Sequence, residues 1–82
     1  MNQQPIIDIY GADWCPDCKT TKAWLDKKQY TYTYHDIEVE GNEGMVAVAP
    51  GVTSIPIVKI NDTVLIEPSL VELAAALPKK AP

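Results

Sequence analysis

From Ile6 to Tyr34 the chain reads strand, helix, strand, and no other feature narrows its possible folds as much. Ile6-Ile7-Asp8-Ile9-Tyr10 is β-branched and aromatic and is bounded by Gly11, the pattern of a strand. Pro16 suits the first turn of a helix, where its missing N–H costs nothing, and this puts Cys15 at the cap position. The helix is expected to run to about Gln29, with Cys18, Thr21, Trp24 and Leu25 on its apolar face. Tyr30-Thr31-Tyr32-Thr33-Tyr34 then alternates strictly and consists of strand formers. With few large aliphatic residues, it is expected at a sheet edge. Two consecutive strands joined through a helix pair in parallel with a right-handed crossover.

The second half adds a hairpin. Asp36, Glu38 and Glu40 lead into a short helix near 42–49, with Met45, Val48 and Ala49 at helical spacing and Pro50-Gly51 as its stop. Ile55-Pro56-Ile57-Val58-Lys59-Ile60 reads as a third strand whose proline must sit at its start. Asn61-Asp62 fits a two-residue turn, and Thr63-Val64-Leu65-Ile66 is the returning strand. Ser69-Leu70-Val71-Glu72 is a capping box, and Leu70, Leu73, Ala74 and Leu77 follow on one helical face until Pro78. The predicted fold is therefore α/β, in the order β-α-β-α-β-β-α, with a mixed four-stranded sheet covered by three helices. At 82 residues the chain makes one domain, 1–82, with a core over about 5–77 and a frayed tail from Pro78 to Pro82.

A chain of this size buries only roughly 60–65% of its unfolded surface. Its chemistry is therefore expected on a rim or in a shallow groove. The net charge of −4 argues against a nucleic-acid partner, and all seven basic residues are Lys, so no Arg is present to grip phosphate in bidentate fashion. No apolar run is long enough to span a membrane. Met1-Asn2-Gln3-Gln4-Pro5 shows no secretory pattern, and the expectation is a cytoplasmic protein. In that compartment thiols stay reduced unless they are catalytic or bind metal.

The two cysteines fall in Trp14-Cys15-Pro16-Asp17-Cys18, at the predicted strand-to-helix junction. A Cys-x-x-Cys in that context reads as a redox motif. A sulfur at the helix cap faces unpaired N–H groups and the positive dipole end, which favour thiolate. On this reading Cys15 is the exposed sulfur that attacks. Cys18, one turn later and sheltered, resolves the mixed disulfide. A structural zinc site would need four ligands, and the chain offers two cysteines and His35. A structural disulfide would close a tiny loop in a reducing compartment. No metal is therefore expected.

Strand, Trp-Cys-Pro-x-Cys and helix, followed by Ser54-Ile55-Pro56 before a hairpin, resemble the thioredoxin superfamily, and within it a glutaredoxin. The resemblance runs from Ile6 to Leu77. Tyr10-Gly11-Ala12-Asp13-Trp14-Cys15 and Glu67-Pro68-Ser69 are similar to the small actinobacterial glutaredoxin-like proteins and mycoredoxins. The resemblance implies sheet order 2-1-3-4 and a cis Pro56 facing the cysteines. It also implies that the backbone before Pro56 pairs with an incoming thiol peptide. Substrate contacts are then expected at Trp14, Pro16, Ser54, Ile55 and Pro56. Glutathione-using glutaredoxins carry Gly-Gly before the last helix and a basic residue near the first cysteine. Here Ile66-Glu67-Pro68-Ser69 and Asp13 stand at those places, and Asp17 replaces the usual tyrosine. Mycothiol, or another low-molecular-weight thiol, is the cosubstrate this pattern implies, with no bound cofactor.

Other residues weigh less. Asp17 opposes negative charge on a neighbouring sulfur or simply favours the helix dipole. Asp8 sits one residue too far from the cysteine to match the buried base of thioredoxins. His35 reads as a partly exposed strand histidine, and Tyr30, Tyr32 and Tyr34 as packing. The expected activity is reduction of mixed or protein disulfides by a monomer, with disulfide-containing proteins and an NADPH-dependent reductase as partners. The alternatives are a thioredoxin-reductase-dependent redoxin and a homodimer holding an iron–sulfur cluster through Cys15. Pro16 counts against the cluster by stiffening the backbone beside its ligand.

Overall fold

A computed structural model of the chain describes residues 5–77. The expected helix stop at Pro78 and the frayed tail lie outside the described residues. Strand β1 spans Ile7–Gly11, and helix α1 spans Pro16–Lys27. They are followed by strand β2 (Thr33–Asp36) and the short helices α2 (Ile37–Glu40) and α3 (Glu43–Val48). Strands β3 (Ile57–Ile60) and β4 (Thr63–Ile66) and helix α4 (Leu70–Ala76) complete the order. The sheet order is β2-β1-β3-β4, with β1 parallel to β2 and antiparallel to β3. This is the predicted thioredoxin-like topology with one helix more than the expected three. No helix among the described residues is long and apolar enough to cross a membrane.

The extra helix is the acidic segment after β2. Asp36 ends the strand and accepts a hydrogen bond from Glu38 N–H at 2.9 Å, so its side chain starts a single helical turn. A four-residue helix has no apolar period to read in a sequence. Strand β2 itself begins at Thr33 rather than Tyr30. Tyr30 N–H instead donates to Leu25 C=O at 2.9 Å, and Gln29 is left-handed with φ 65°, so the exit turn of α1 takes up the start of the tyrosine run. The edge placement of β2 is as the alternation predicts.

The sheet carries two apolar clusters, one per face. Ile7 and Ile9 of β1 pack with Leu25 of α1, Val58 and Ile60 of β3, and Leu73 and Leu77 at the α4 end. Tyr10 and Ile57 point to the opposite face and meet Met45 and Ala49 around α3. The alternation of β1 thus places α1 and α4 on one side and α3 on the other. The predicted capping box starts α4: Glu72 N–H donates to Ser69 Oγ at 3.1 Å, and Ser69 N–H donates to Glu72 Oε1 at 2.9 Å. At the far end of the sheet, Asn61 brackets Ile6. Its Oδ1 accepts from Ile6 N–H at 3.0 Å, and its N–H donates to Ile6 C=O at 2.8 Å. The hairpin turn is thereby tied to the entry of β1.

His35 joins three elements. Its ring stacks on Tyr10 with centroids 4.5 Å apart, Nε2 lies 2.9 Å from Asp8 Oδ1, and Nδ1 lies 3.2 Å from Glu40 Oε1. Asp8 is therefore the partner of a histidine on the α3 face. The hydrogen bond with Asp8 raises the His35 pKa above its ordinary 6.5; burial opposes this, and Glu40 adds to the rise. A raised folded-state value means that protonation stabilises the fold. That contribution is complete below about pH 6.5 and is lost as pH rises through the folded-state value. His35→Asn should therefore cost more stability near pH 5.5 than near pH 8.5, read as the gap in urea midpoint from wild type. Equal gaps would show that the protonated ring contributes nothing.

Candidate active site

The junction between β1 and α1 is built from the sulfur outward. Cys15 takes an extended conformation at the N-cap, and its Sγ accepts a hydrogen bond from Cys18 N–H at 3.3 Å. A thiol sulfur thus does the work of a Ser or Asp cap, and Pro16 fills the first helical position as predicted. Cys15 N–H donates to Ala12 C=O at 3.1 Å, which closes the loop leading into the helix. Both cysteines are free thiols, one helical turn apart.

Cys15 was expected to be exposed, and it is not: it is 5% exposed, and Cys18 is fully buried. The cap hydrogen bond draws the Cys15 sulfur back over the first turn of α1, away from solvent. Trp14, one residue earlier, is 64% exposed on the rim of the same loop. Burial is the main force on the Cys18 thiol, pushing its pKa up to about 12. The hydrogen bond and charge of Cys15 push the same way, against a backbone hydrogen bond from Ala12 and the charge of Lys22. At neutral pH Cys18 keeps its proton.

The other residues singled out from sequence separate by position. The Ile55–Pro56 peptide is cis, and Pro56 is buried. Tyr10 pairs with Ile57 in the antiparallel register, so Pro56 lies at the same end of the sheet as Gly11 and the cysteine loop. Ser54 is exposed, and Ile55 is half-buried against the second cluster. Pro56 C=O accepts from Glu67 N–H at 2.8 Å, which ties the chain leaving β4 to this segment. Asp17 is exposed in the first turn of α1. Asp8 and His35 belong to the opposite face.

Two residues not singled out as site residues border the sulfurs. A Cβ added to Gly11 would lie 2.6 Å from Cys18 Sγ and 3.4 Å from the Tyr34 hydroxyl. The missing side chain of Gly11 is the space that Cys18 occupies. Lys22, four residues after Cys18 on α1, places Nζ 3.8 Å from the centroid of the Tyr34 ring. The helical spacing from Cys18 to Lys22 is legible in the sequence, whereas the meeting with Tyr34 requires the β1–β2 register.

The chain is similar to known proteins in sequence and in fold. The Glutaredoxin family profile matches residues 7–65. Mycoredoxin 1 of Corynebacterium glutamicum is 32% identical over 56 residues, covering 68% of this chain and 71% of that protein. A second strain of that species carries a Mycoredoxin 1 with the same match. The crystal structure of a glutaredoxin from Archaeoglobus fulgidus superposes with a TM-score of 0.74 at 20% identity, covering 87% of this chain and 84% of the other. That likeness concerns the fold.

The contact at Gly11 yields a test independent of any substrate. Gly11→Ala forces the Cys18 side chain or the β1 backbone to move, because 2.6 Å is closer than a carbon and a sulfur can approach. The substitution should cost about 1–3 kcal/mol in urea unfolding and slow formation of the Cys15–Cys18 disulfide. Unchanged stability and oxidation rate would mean that the loop relaxes freely.

Proposed function

The chain belongs to the glutaredoxin family of thiol–disulfide oxidoreductases, and on that premise we propose that it reduces mixed disulfides formed with mycothiol, and protein disulfides, through a Cys15–Cys18 dithiol cycle. The observation that carries this reading is the sulfur cap. The Cys15 sulfur sits at the positive end of α1 beside a second thiol within the same turn. Cys15 attacks one sulfur of the substrate disulfide and the other leaves as a thiolate. Cys18 then displaces the substrate sulfur from Cys15. The product is an internal disulfide, which a low-molecular-weight thiol and its NADPH-dependent reductase return to the dithiol.

Mycothiol is favoured on two grounds. One relative is a mycoredoxin, and Ile66-Glu67-Pro68-Ser69 stands where glutathione-using members carry Gly-Gly. Substrate reaches the sulfur past exposed Trp14 and Pro16, while the backbone at Ser54-Ile55-Pro56 lines the same sheet end and offers an edge for an extended peptide. The protein acts as a cytoplasmic monomer with disulfide-bearing proteins as targets. The deciding experiment is an NADPH consumption assay run in parallel with mycothiol and its reductase, with glutathione and its reductase, and with thioredoxin reductase. Turnover in the mycothiol arm supports the reading; turnover confined to thioredoxin reductase replaces the cosubstrate.

Two substitutions separate the steps. Cys15→Ser should abolish turnover. Cys18→Ser should accumulate a mixed disulfide, visible as a mass increase, and keep activity solely where an external thiol can resolve it. Full activity of Cys18→Ser on protein disulfides would replace the dithiol cycle with a monothiol one. Asp17, exposed in the first turn of α1, is tested in the same way: a carboxylate facing the Cys15 sulfur would oppose negative charge on it. Asp17→Tyr should speed alkylation of Cys15 by iodoacetamide at neutral pH, though by less than charge alone suggests, since nucleophilicity falls as a thiolate becomes less basic. Equal rates would mean that the carboxylate is turned away.

A further inference from the structure

The Tyr34 hydroxyl is a buried polar atom with no hydrogen-bond partner among the described residues, whereas buried polar groups are as a rule paired. Its surroundings are specific. Tyr34 pairs with Ile9 in the parallel register, and its ring packs against the cluster on the α1 face. The hydroxyl oxygen and Cys18 Sγ meet at the same place, over Gly11, where a Cβ would lie 3.4 Å from the one and 2.6 Å from the other. Lys22 covers the ring from α1. Burial, then the charges of Cys18, Asp36, Asp13 and Cys15, push the phenol up to about 12. The hydroxyl therefore keeps its proton at neutral pH and can only donate it in a hydrogen bond.

We propose that Tyr34 is a positioning residue for the resolving step, its hydroxyl donating a hydrogen bond to the Cys18 sulfur as that sulfur becomes the nucleophile. The proposal rests on the dithiol cycle above. In the resting dithiol no hydrogen bond joins the hydroxyl to the Cys18 sulfur; a neutral thiol is a weak acceptor, whereas the thiolate is a strong one that draws the hydroxyl in. In the step, the Cys18 sulfur bonds to the Cys15 sulfur as the bond between Cys15 and the substrate sulfur breaks. The thiol proton of Cys18 goes to the departing sulfur, which leaves as a thiol. The substrate is reduced, the protein dithiol is oxidised to a disulfide, and Tyr34 keeps its own proton throughout. Lys22 supports the same charge, since it lowers the Cys18 pKa.

Tyr34→Phe removes the hydroxyl and leaves the ring under Lys22. Deleting an unpaired buried hydroxyl should leave the urea midpoint equal to or above wild type, which separates this role from a structural one. Two readouts then decide. The Cys18 titration, followed by 13Cβ chemical shift in the reduced protein, should move to higher pH in the variant. With an aromatic disulfide that liberates a coloured thiol twice, first on attack by Cys15 and again on displacement by Cys18, the second phase should slow about tenfold, the factor for one pKa unit. The first phase should be unchanged, also in a Cys18→Ser background. An unchanged Cys18 titration with an unchanged second phase overturns the assignment. If the wild type shows no second phase, the dithiol cycle falls, and the Cys18 titration alone decides the role of Tyr34.

Discussion

The hydrogen bond from Cys18 N–H to Cys15 Sγ starts helix α1 and also fixes the sulfur proposed to react. In most helices the cap is a structural residue, and function lies elsewhere on the surface. Here one atom serves both, so the helix cannot shift without moving the chemistry. The arrangement extends inward. Cys18 follows within the same turn, and its side chain fills the space above Gly11 at the end of β1. Strand, loop and helix are thus locked around two sulfurs, with parallel pairing to β2 bringing Tyr34 to the same place.

The two thiols differ because their surroundings differ. Cys15 lies at the rim, next to exposed Trp14, with its sulfur against a helix N-terminus. Cys18 is sealed, and desolvation holds its proton. The proposed dithiol cycle needs a difference between the two sulfurs, since one attacks first while the other waits as a thiol. The fold provides it by placing the pair across a single turn, with one end facing the loop and the other facing the sheet.

Features governed by local chemistry were legible in the sequence. Pro16 and Cys15 marked the helix start, Ser69 and Glu72 the start of α4, and Asn61-Asp62 the hairpin, because each rests on contacts a few residues apart. The order of the sheet followed from the crossover rule together with the resemblance of the cysteine motif. What escaped depended on distant partners or on very short elements. Tyr30 looked like a strand residue until the exit of α1 claimed its N–H. Helix α2 spans four residues and shows no period. Cys15 is buried where the motif led to exposure, because the cap bond turns its sulfur inward, and a motif specifies spacing but not the direction of a side chain. Gly11 and Tyr34 join the site solely through β1–β2 register and the packing of α1.

The seclusion of Cys18 also governs how the site withstands peroxide. A surface thiolate oxidised to sulfenic acid is open to further oxidation, and the sulfinic and sulfonic forms are in general not recovered. With a protonated thiol held one turn away, a sulfenic acid on Cys15 has a partner at hand. The two condense to a disulfide with loss of water, a product that ordinary thiol exchange reverses. In the proposed dithiol cycle the deeper cysteine would be a safeguard as well as a reagent, since it would divert the Cys15 sulfur from irreversible damage into a state from which it can be regenerated.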